Sequence, residues 1–435
     1  MRVGIKGDIY PKTKGITMNN RIYYGEYSLK HWIDLIIQKN ITLPEYQRSF
    51  VWKRERVIKF IKDLKEKQFI PPVAVAHYKT HDNPCETNLI LDGQQRLSSI
   101  ILAYLNLYPD GFSKTEKFSN DDDCKDDDVE DSTNSKSKEW TFNYLFDSTR
   151  NTNTIDSIKN AIAKDKRYKQ LFTEPISQRD DFWENSFLGF SYIVPDSDNK
   201  DTIQKSFSRT FRDINYLGVS LSAQESRRSL YFMNDDYKDF FDGRIGNTNV
   251  LNNLTILENM QPAKIDFVRY LAILSQYYSQ KSEKNILKHY SSYASREGFY
   301  ADYVSKIVGL DQENHEDKFD NFEIEKCFPS KSWRQRFESL QMTVKGLENK
   351  QIGKSKNFNG QFESWIDADY YLFGLIYHVL FLGKNIVFTE NLFKQINNYI
   401  KNKHQDAVYS KSPNRLGNLR SRLKESIDVY CQFVG

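Results

Sequence analysis

The stretch LILDGQQRLSSI, residues 89–100, places a short polar group between two apolar runs of different character. Before it, residues 89–91 form a short aliphatic run of the kind found in strands. After it, apolar residues recur at helical spacing from Leu97 to Tyr104. The sequence therefore predicts a strand followed by a helix, with the polar group Asp92–Arg96 at the N-terminus of that helix.

A polar group in this position is suited to an anion. Gly93 permits a tight turn and close approach of the backbone. The first N–H groups of a helix have no intrahelical partners, and such helix ends attract phosphate above all. Arg96, one turn in, adds a planar fork of donors that grips phosphate oxygens. The motif indicates a phosphate site, with a capped helix start and solvated amides as the alternative.

The charge of the chain is uneven. The 435 residues carry a net charge of +4, but residues 121–131 alone hold eight acids and one lysine. Removing this local −7 leaves +11 on the remaining chain. Such an excess suits an anionic partner such as DNA, although dispersed lysines also serve simply as a solvated surface.

The cysteines and the apolar runs indicate a cytoplasmic protein. The four cysteines lie far apart and form no CxxC spacing, so we predict free thiols and no zinc site: Cys85, Cys124, Cys327 and Cys431. Residues 1–12 lack the apolar core of a signal peptide. The apolar run at 370–382 is shorter than the roughly 20 residues needed to span a bilayer, and it predicts a buried helix.

Periodicity gives an order of elements for the N-terminal part. Pro44 excludes a helix in the segment PEYQR, residues 44–48. The predicted order is a helix at 27–40 capped by Ser28, the PEYQR segment, a helix from Lys53, a strand at 73–78, the strand at 89–91 and the helix after Arg96. The outer face of the second helix is basic, with Lys53, Arg54, Lys59, Lys62 and Lys65, which favours a solvated face over a binding patch.

Residues 113–139 differ from the sequence on both sides. They are poor in apolar residues and rich in Asp, Ser and Lys. This composition predicts a solvated, disordered surface insertion. The carboxylates lack the spacing of a calcium-binding loop, so we assign no metal to them.

A second informative segment covers residues 211–241. Ser222 and Glu225 fit a capping box at the start of a helix. The box leaves four nearby residues unexplained: Asn215, Gly218, Gln224 and Arg227. Their density at a helix start suggests another ligand-facing helix end.

Beyond about residue 250, periodicity becomes helical, as at 267–280 and 333–350. We predict an N-terminal domain at 1–248 and an α-helical domain at 249–435.

The three motifs, in this order, resemble the N-terminal domain of the GmrSD-type family, which bacterial modification-dependent restriction and anti-phage systems contain. The matching segments are ITLPEYQRSFVW, LILDGQQRLSSI and FRDINYLGVSLSAQESRRSLY, within roughly residues 20–245. The order of elements is also similar to the ParB/sulfiredoxin-like fold, in which a comparable motif binds a nucleoside triphosphate. The resemblance implies an α+β fold, with a ParB/sulfiredoxin-like domain followed by a mostly helical one.

The resemblance also implies roles for individual residues. Nucleotide hydrolysis would depend on Asp92, Gln95 and Arg96, with Arg96 neutralising charge during phosphoryl transfer and Asp92 acting on a metal-bound or attacking water. The nucleotide-binding residues it implies are Gln47, Arg48, Gly93, Gln94, Asn215, Glu225 and Arg227. The ligand would be a nucleoside triphosphate, with Mg²⁺ as a further candidate, and no side chain is assigned as a direct metal ligand.

Many family members continue into an HNH nuclease domain or are encoded beside one. Here residues 415–419, RLGNL, echo part of such a domain, but no HIxP stretch precedes them. His378 lies inside the apolar run and is predicted to be a core histidine. We therefore expect a regulatory or sensor subunit that hydrolyses a nucleoside triphosphate, contacts DNA, with modified phage DNA as a candidate, and works with a separate HNH-type nuclease. Assembly of this chain into a homo-oligomer is a further possibility that the sequence leaves open.

Two alternative functions remain open. In one, the chain is a non-catalytic DNA-binding or scaffold module whose nucleotide is an allosteric ligand. In the other, it is a self-contained nuclease. Besides the basic helix that starts at Lys53, the segment KSPNRLGNLRSRLK, residues 411–424, is a candidate contact with DNA.

Overall fold

The computed structural model describes residues 20–43, 50–78, 87–112, 140–141, 144–145, 154–162, 165–197, 199, 202–207, 210, 223–231, 234–258, 261–288, 290, 293–310, 323–349 and 361–435. The strands are β1 Arg21–Ser28, β2 Ile41–Thr42, β3 Val73–Tyr78, β4 Thr87–Asp92, β5 Leu107–Tyr108, β6 Lys169–Gln170, β7 Phe187–Val194, β8 Arg244–Ile245, β9 Thr248–Asn249, β10 Thr255–Glu258, β11 Gln261–Lys264 and β12 Gln361–Phe362.

Helices account for most of the remaining described chain. Up to residue 242 they are Leu29–Ile37, Arg54–Lys65, Gln94–Leu105, Ile155–Ile162, Phe182–Asn185, 202–207, Ala223–Arg228 and Asp235–Asp242. In the C-terminal half they are Phe267–Gln280, Tyr293–Val308, Ile324–Cys327, Trp333–Leu347, Trp365–Ile376, Glu390–Gln405, Ala407–Lys411 and Leu416–Cys431. The fold is α+β, as predicted, with a sheet region first and a helical region second.

A five-stranded mixed sheet organises the N-terminal half, in the order β1-β7-β3-β4-β2. Strands β1 and β7 are antiparallel, β7 and β3 parallel, β3 and β4 antiparallel, and β4 and β2 parallel. One face packs against the helices Leu29–Ile37, Arg54–Lys65 and Gln94–Leu105. The opposite face carries a smaller apolar cluster that includes Ile203 and Phe207 of the helix 202–207. The sheet is therefore covered by helices on both faces.

The larger core belongs to the C-terminal half. It runs from Leu230 to Tyr430 and is built mainly from aromatic and aliphatic side chains of the helices there. A small sheet of β10, β11 and β12 and the hairpin of β8 and β9 lie in the same half. This core includes three residues that precede the predicted domain boundary at residue 248: Leu230, Phe240 and Phe241. The boundary itself stays a prediction.

Most of the elements that periodicity indicates are present. Ser28 caps its helix by accepting a hydrogen bond from the backbone N–H of His31 at 3.2 Å. The apolar run becomes the buried helix Trp365–Ile376, which continues as one wider π-helical turn at Tyr377–Phe381. Among the helices described, none combines the length and apolar character that crossing a membrane would require.

Strands β1 and β7 were not predicted. Seven of the eight residues of β1 are exposed, so this strand lacks the alternation of buried and exposed positions that periodicity analysis detects. Strand β7, FLGFSYIV, is only partly buried along most of its length. Both strands owe their place to pairing over the full eight residues, from Arg21 opposite Val194 to Ser28 opposite Phe187.

The predicted core histidine is buried. His378 is 4% exposed, and its Nε2 lies 3.0 Å from the carbonyl oxygen of Ile427. Burial lowers the pKa of its imidazole, which keeps it neutral in the core. Cys327 and Cys431 are free thiols, and burial raises the pKa of Cys327 to about 12. The predicted insertion at 113–139, together with Cys85 and Cys124, lies outside the described residues.

Three helices of the C-terminal half meet at one buried carboxylate. Asp369, fully buried, accepts hydrogen bonds from Arg269 at 2.7 and 3.0 Å and from Arg422 at 2.9 Å. The hydroxyl of Tyr270 donates a fourth at 3.0 Å. Both arginines are almost fully buried. The carboxylate is therefore fully paired, and it ties together the helices Phe267–Gln280, Trp365–Ile376 and Leu416–Cys431.

Candidate functional site

The DGQQR motif lies where strand β4 passes into the helix Gln94–Leu105, hereafter the motif helix. Asp92 is the last residue of the strand. Gly93 is the N-cap, with φ +98° and ψ 8°. The N–H of Leu97 donates to the carbonyl of Gly93 at 3.0 Å and closes the first helical turn. The motif thus occupies a helix N-terminus, as the periodicity of the sequence predicts.

Gly93 is required for two reasons. Its φ lies in the left-handed half of the map, where side chains are strained. A Cβ built on Gly93 would also lie 2.9 Å from Cγ2 of Val73, a fully buried residue that begins β3. The close approach of the motif to the neighbouring strand therefore depends on the missing side chain.

Replacing Gly93 with alanine should destabilise the fold by about 1–3 kcal/mol, because backbone strain and the contact with Val73 act together. The measurement is urea denaturation of the two proteins. Gly246→Ala is the matched control, since Gly246 also has a positive φ, +56°, but nothing lies within 4 Å of its added Cβ. If both variants lost the same stability, the contact with Val73 would contribute nothing.

Arg96 is held by protein groups on both sides. Its guanidinium forms an ion pair with Asp92, one helical turn earlier, and donates a hydrogen bond to the carbonyl of Pro71. The Arg96 side chain is 11% exposed, whereas that of Asp92 is 46% exposed. Arg96 is therefore an anchored cation beside a half-exposed carboxylate, and a phosphate there would compete with Asp92 for it.

The two glutamines are buried, contrary to the alternative of solvated amides. Gln94 and Gln95 are 5% and 8% exposed. The side-chain oxygen of Gln95 accepts a hydrogen bond from the backbone N–H of Val51 at 2.9 Å. The hydroxyl of Ser99 donates to the backbone carbonyl of Gln95 at 2.7 Å. Gln95 thus fixes the chain at Val51 to the start of the motif helix.

The described chain on either side of the first motif lies near the second motif. Strand β2 runs parallel to β4, with Thr42 opposite Leu89, and so leads toward the end of β4 that carries Asp92. Residues 44–49, which include Gln47 and Arg48, lie outside the described residues. The described chain resumes at residue 50, and Gln95 holds the backbone of Val51.

Trp140 supports the chain at Phe50 and was not identified from the sequence. Its carbonyl accepts from the N–H of Phe50 at 2.8 Å, and its ring meets that of Phe50 edge to face. Its indole N–H donates to Tyr168 at 2.8 Å. A lone tryptophan after an acidic, polar stretch gave no sequence indication of this role.

Arg227 of the third motif lies in a different environment from the residues of DGQQR. Arg227, in the helix Ala223–Arg228, is 2% exposed and pairs with Asp266 and Glu297. Gln204 of the helix 202–207 donates to the carbonyl of Leu230 at 3.0 Å, which brings this chain beside the opposite face of the sheet from the motif helix. Asn215 and Ser222 lie outside the described residues, as does the side chain of Glu225.

The two basic segments differ in how their charges are used. In the segment 411–424, Arg420 donates to the carbonyl of Ile286 and Arg422 is fully buried on Asp369. Arg422 is therefore out of reach of a phosphate backbone, and Arg420 is partly exposed but held by a protein acceptor. The helix Arg54–Lys65 keeps its lysines exposed, although Lys59 and Lys62 pair with acids one turn along.

Over the part of the chain that the structure describes, no three residues among His, Cys, Asp and Glu are grouped as metal ligands. His404 contacts Asp367 at 3.2 Å, and this hydrogen bond raises the pKa of its imidazole. The pair is a partly exposed surface contact rather than part of a nuclease-like set of ligands.

Comparison with known proteins agrees with the motifs. The model of the family described as the GmrSD restriction endonuclease N-terminal domain matches residues 29–232. An uncharacterized protein of Methanocaldococcus jannaschii is 32% identical over 99 residues, which cover 18% of this chain and 17% of that relative. The chain therefore spans under a fifth of the length of the curated relative it matches. No solved structure matches significantly.

The family match joins the three motifs in one domain and links the chain to restriction systems. It extends from the first helix, Leu29–Ile37, past the helix that carries Arg227. Over residues 29–232, just under half of its length, the chain is therefore similar to GmrSD restriction endonuclease N-terminal domains.

Proposed function

We propose that the chain is a regulatory or sensor subunit of an anti-phage, modification-dependent restriction system, which binds and hydrolyses a nucleoside triphosphate and acts with a separate nuclease. The observation that supports the proposal is that the described chain before and after the PEYQR segment lies beside the DGQQR helix end. Gln95 holds Val51, and β2 leads toward the end of β4 that carries Asp92.

The groups at this helix end suit a polyphosphate. A helix N-terminus favours negative charge, and an arginine fork binds phosphate oxygens in pairs. Arg96 would hold the phosphate charge, Gly93 and Gln94 would present backbone N–H groups, and Gln47 and Arg48 would close over the ligand. When bound, the triphosphate with Mg²⁺ would supply the phosphoanhydride bond and a hydrated cation.

Asp92 has a specific part in this arrangement. In the structure its carboxylate neutralises Arg96, and nearly half of it is exposed. A phosphate taking its place on Arg96 would release the carboxylate toward solvent, where it would accept a proton from water or orient it. The Asp92–Arg96 pair would thus keep the cation neutralised until an anion arrives.

The test is a phosphate-release assay with ATP, GTP, CTP and UTP, with and without phage DNA that carries modified bases. We expect turnover of at least one nucleotide and a change in rate with DNA. A protein that binds none of the four nucleotides would overturn the proposal. Binding without phosphate release would favour a second function.

That second function is a non-catalytic DNA-binding or scaffold module with the nucleotide as an allosteric ligand. One observation favours it: Arg96 is already satisfied by Asp92 and the carbonyl of Pro71, so the helix end is stable without a ligand. A nucleotide that replaced Asp92 would then act by changing this contact alone. The phosphate-release assay separates the two functions.

The proposed DNA contact and nuclease partner rest on the link to restriction systems and on the charge excess of the chain. Because Arg420 and Arg422 serve the fold, the exposed basic face of the helix Arg54–Lys65 is the better candidate for DNA. Pull-down of a separately encoded HNH protein would test the partner.

Reversing two exposed lysines of that face, in Lys53→Glu with Lys65→Glu, should flatten the dependence of DNA affinity on salt. Each phosphate contact contributes about 0.9 to the slope of log affinity against log salt for duplex DNA. Fluorescence anisotropy from low to moderate salt measures the slope. Lys326→Glu, an exposed lysine of the C-terminal half, is the control. Affinity that does not change with salt would exclude backbone contacts as the main source of binding.

A further inference from the structure

A cavity of about 730 Å³ lies beside the third motif. The described residues that line it come from the helix Ala223–Arg228, the β8–β9 hairpin, and the chain that leads into β10 and out of β11. Its volume falls within the roughly 300–1,000 Å³ of small-molecule sites. The residues of DGQQR are not among those lining residues, so this is a different part of the molecule from the motif helix.

The charged side chains of the described lining are mostly cationic. Four cations face two carboxylates: Arg227, Arg228, Arg244 and Lys264 against Asp242 and Asp266. Asp242 is shared by two of the arginines, at 3.2 Å from Arg228 and 3.1 Å from Arg244. Counting Glu297, which also pairs with Arg227, the balance is still positive. Among the described side chains, the lining and its partner Glu297 therefore hold four cations and three carboxylates.

Two buried donors in the lining have no acceptor among the described residues. They are Nε2 of Gln224 and Nε of Arg227. Arg227 is 2% exposed, and its other two nitrogens are held by Asp266 and Glu297. A buried donor without an acceptor is destabilising. Because both unmatched atoms are donors, the missing group is one that accepts hydrogen bonds, as the oxygens of an anion do.

The rim of the cavity is polar and well fixed. The hydroxyl of Tyr231 donates to Asp242 at 2.8 Å, and burial raises the pKa of Tyr231 well above its usual value, so this donor persists at neutral pH. Asn249 donates to the carbonyl of Asp242 at 2.6 Å and holds the hairpin against the helix Asp235–Asp242. The cationic groups are thus held in place before a ligand arrives.

We propose that this cavity binds a small molecule that carries a phosphate group, at a site separate from the DGQQR helix end. A phosphate group presents three strong acceptor oxygens, enough for both unmatched donors and one cation, whereas a carboxylate presents only two. The oxygens of the phosphate would accept from Gln224 and Arg227, with Arg244 and Lys264 at the entrance. The inference does not depend on nucleotide hydrolysis at DGQQR.

The experiment is isothermal titration calorimetry of the full chain with adenosine 5′-monophosphate and inorganic phosphate, and with adenosine as the uncharged counterpart. Arg244→Ala with Lys264→Ala removes two cations of the cavity. Their side chains are partly exposed, and Asp242 keeps Arg228 as a partner, so the variant should fold. Arg334→Ala is the matched control, because Arg334 is an exposed arginine paired with Asp236 and Asp239 elsewhere.

We expect adenosine 5′-monophosphate to bind, adenosine not to bind, and the double variant to bind at least tenfold more weakly. Arg334→Ala should leave the affinity unchanged, and the Arg96→Ala variant should retain this binding. Three results would overturn the proposal: no heat with either phosphate probe, equal binding of adenosine, or loss of phosphate binding in Arg96→Ala with full binding in the double variant. Gln224→Leu gives an independent check, since it removes one unmatched donor and should weaken binding severalfold.

Discussion

Replacing Asp369 with alanine is expected to lower the free energy of unfolding by about 3–5 kcal/mol, the usual cost of removing one partner from a buried ion pair. Asp369 is the shared acceptor of Arg269, Arg422 and Tyr270. Its loss would remove the carboxylate that two buried guanidinium groups share in the core of the C-terminal half. Urea denaturation followed by tryptophan fluorescence measures the loss.

Asp236→Ala is the matched control for Asp369. Asp236 also pairs with two cations, Lys331 and Arg334, but at the surface, where its side chain is 39% exposed. Exposed pairs contribute about 0–1 kcal/mol, so this variant should be almost as stable as the original. Equal stability of the two variants would contradict the central role given to the buried carboxylate.

Replacing Arg96 with alanine should reduce nucleotide hydrolysis by about 100–1,000-fold, the effect of removing one donor that stabilises transition-state charge. The fold should persist, because Asp92 is half-exposed and its carboxylate would simply be hydrated after the loss of Arg96. The measurements are phosphate release and, in parallel, thermal unfolding.

Arg96→Lys sharpens this prediction. Lysine keeps the charge but loses the planar fork, so it should recover part of the nucleotide binding and little of the turnover. Asp92→Asn removes the carboxylate while leaving Arg96 in place. It should strengthen phosphate binding, because the competitor of the ligand is gone, and slow hydrolysis. Unchanged turnover in a folded Arg96→Ala protein would remove Arg96 from the catalytic residues.

Local pattern was sufficient for the elements on which the site is built. The aliphatic run at 89–91 and the helical spacing after Arg96 lie within a few residues of one another, and periodicity reads such short-range order directly. The same holds for the cap at Ser28 and the buried helix Trp365–Ile376. The three motifs also pointed, without any structure, to the family whose model matches residues 29–232.

The hydrogen-bond partners of buried side chains could not be predicted from local pattern. The sequence offers Gln95 as a ligand-facing amide, yet its oxygen binds the backbone of Val51, 44 residues away. It offers Arg422 as a surface cation, and the fold buries it on Asp369, 53 residues earlier. In each case the side chain is satisfied by a group that is distant along the chain, and no local period records that distance.

By itself, the sequence determined the strand, the turn at Gly93 and the helix of DGQQR, because those features depend on neighbours within about one helical turn. Only the tertiary structure decided that β1 and β7 complete the sheet, that Arg96 is neutralised by Asp92 and anchored to Pro71, and that Arg227 of the third motif borders a cavity. The physical reason is that buried polar groups must find partners wherever packing brings them, and packing brings together segments far apart in the sequence.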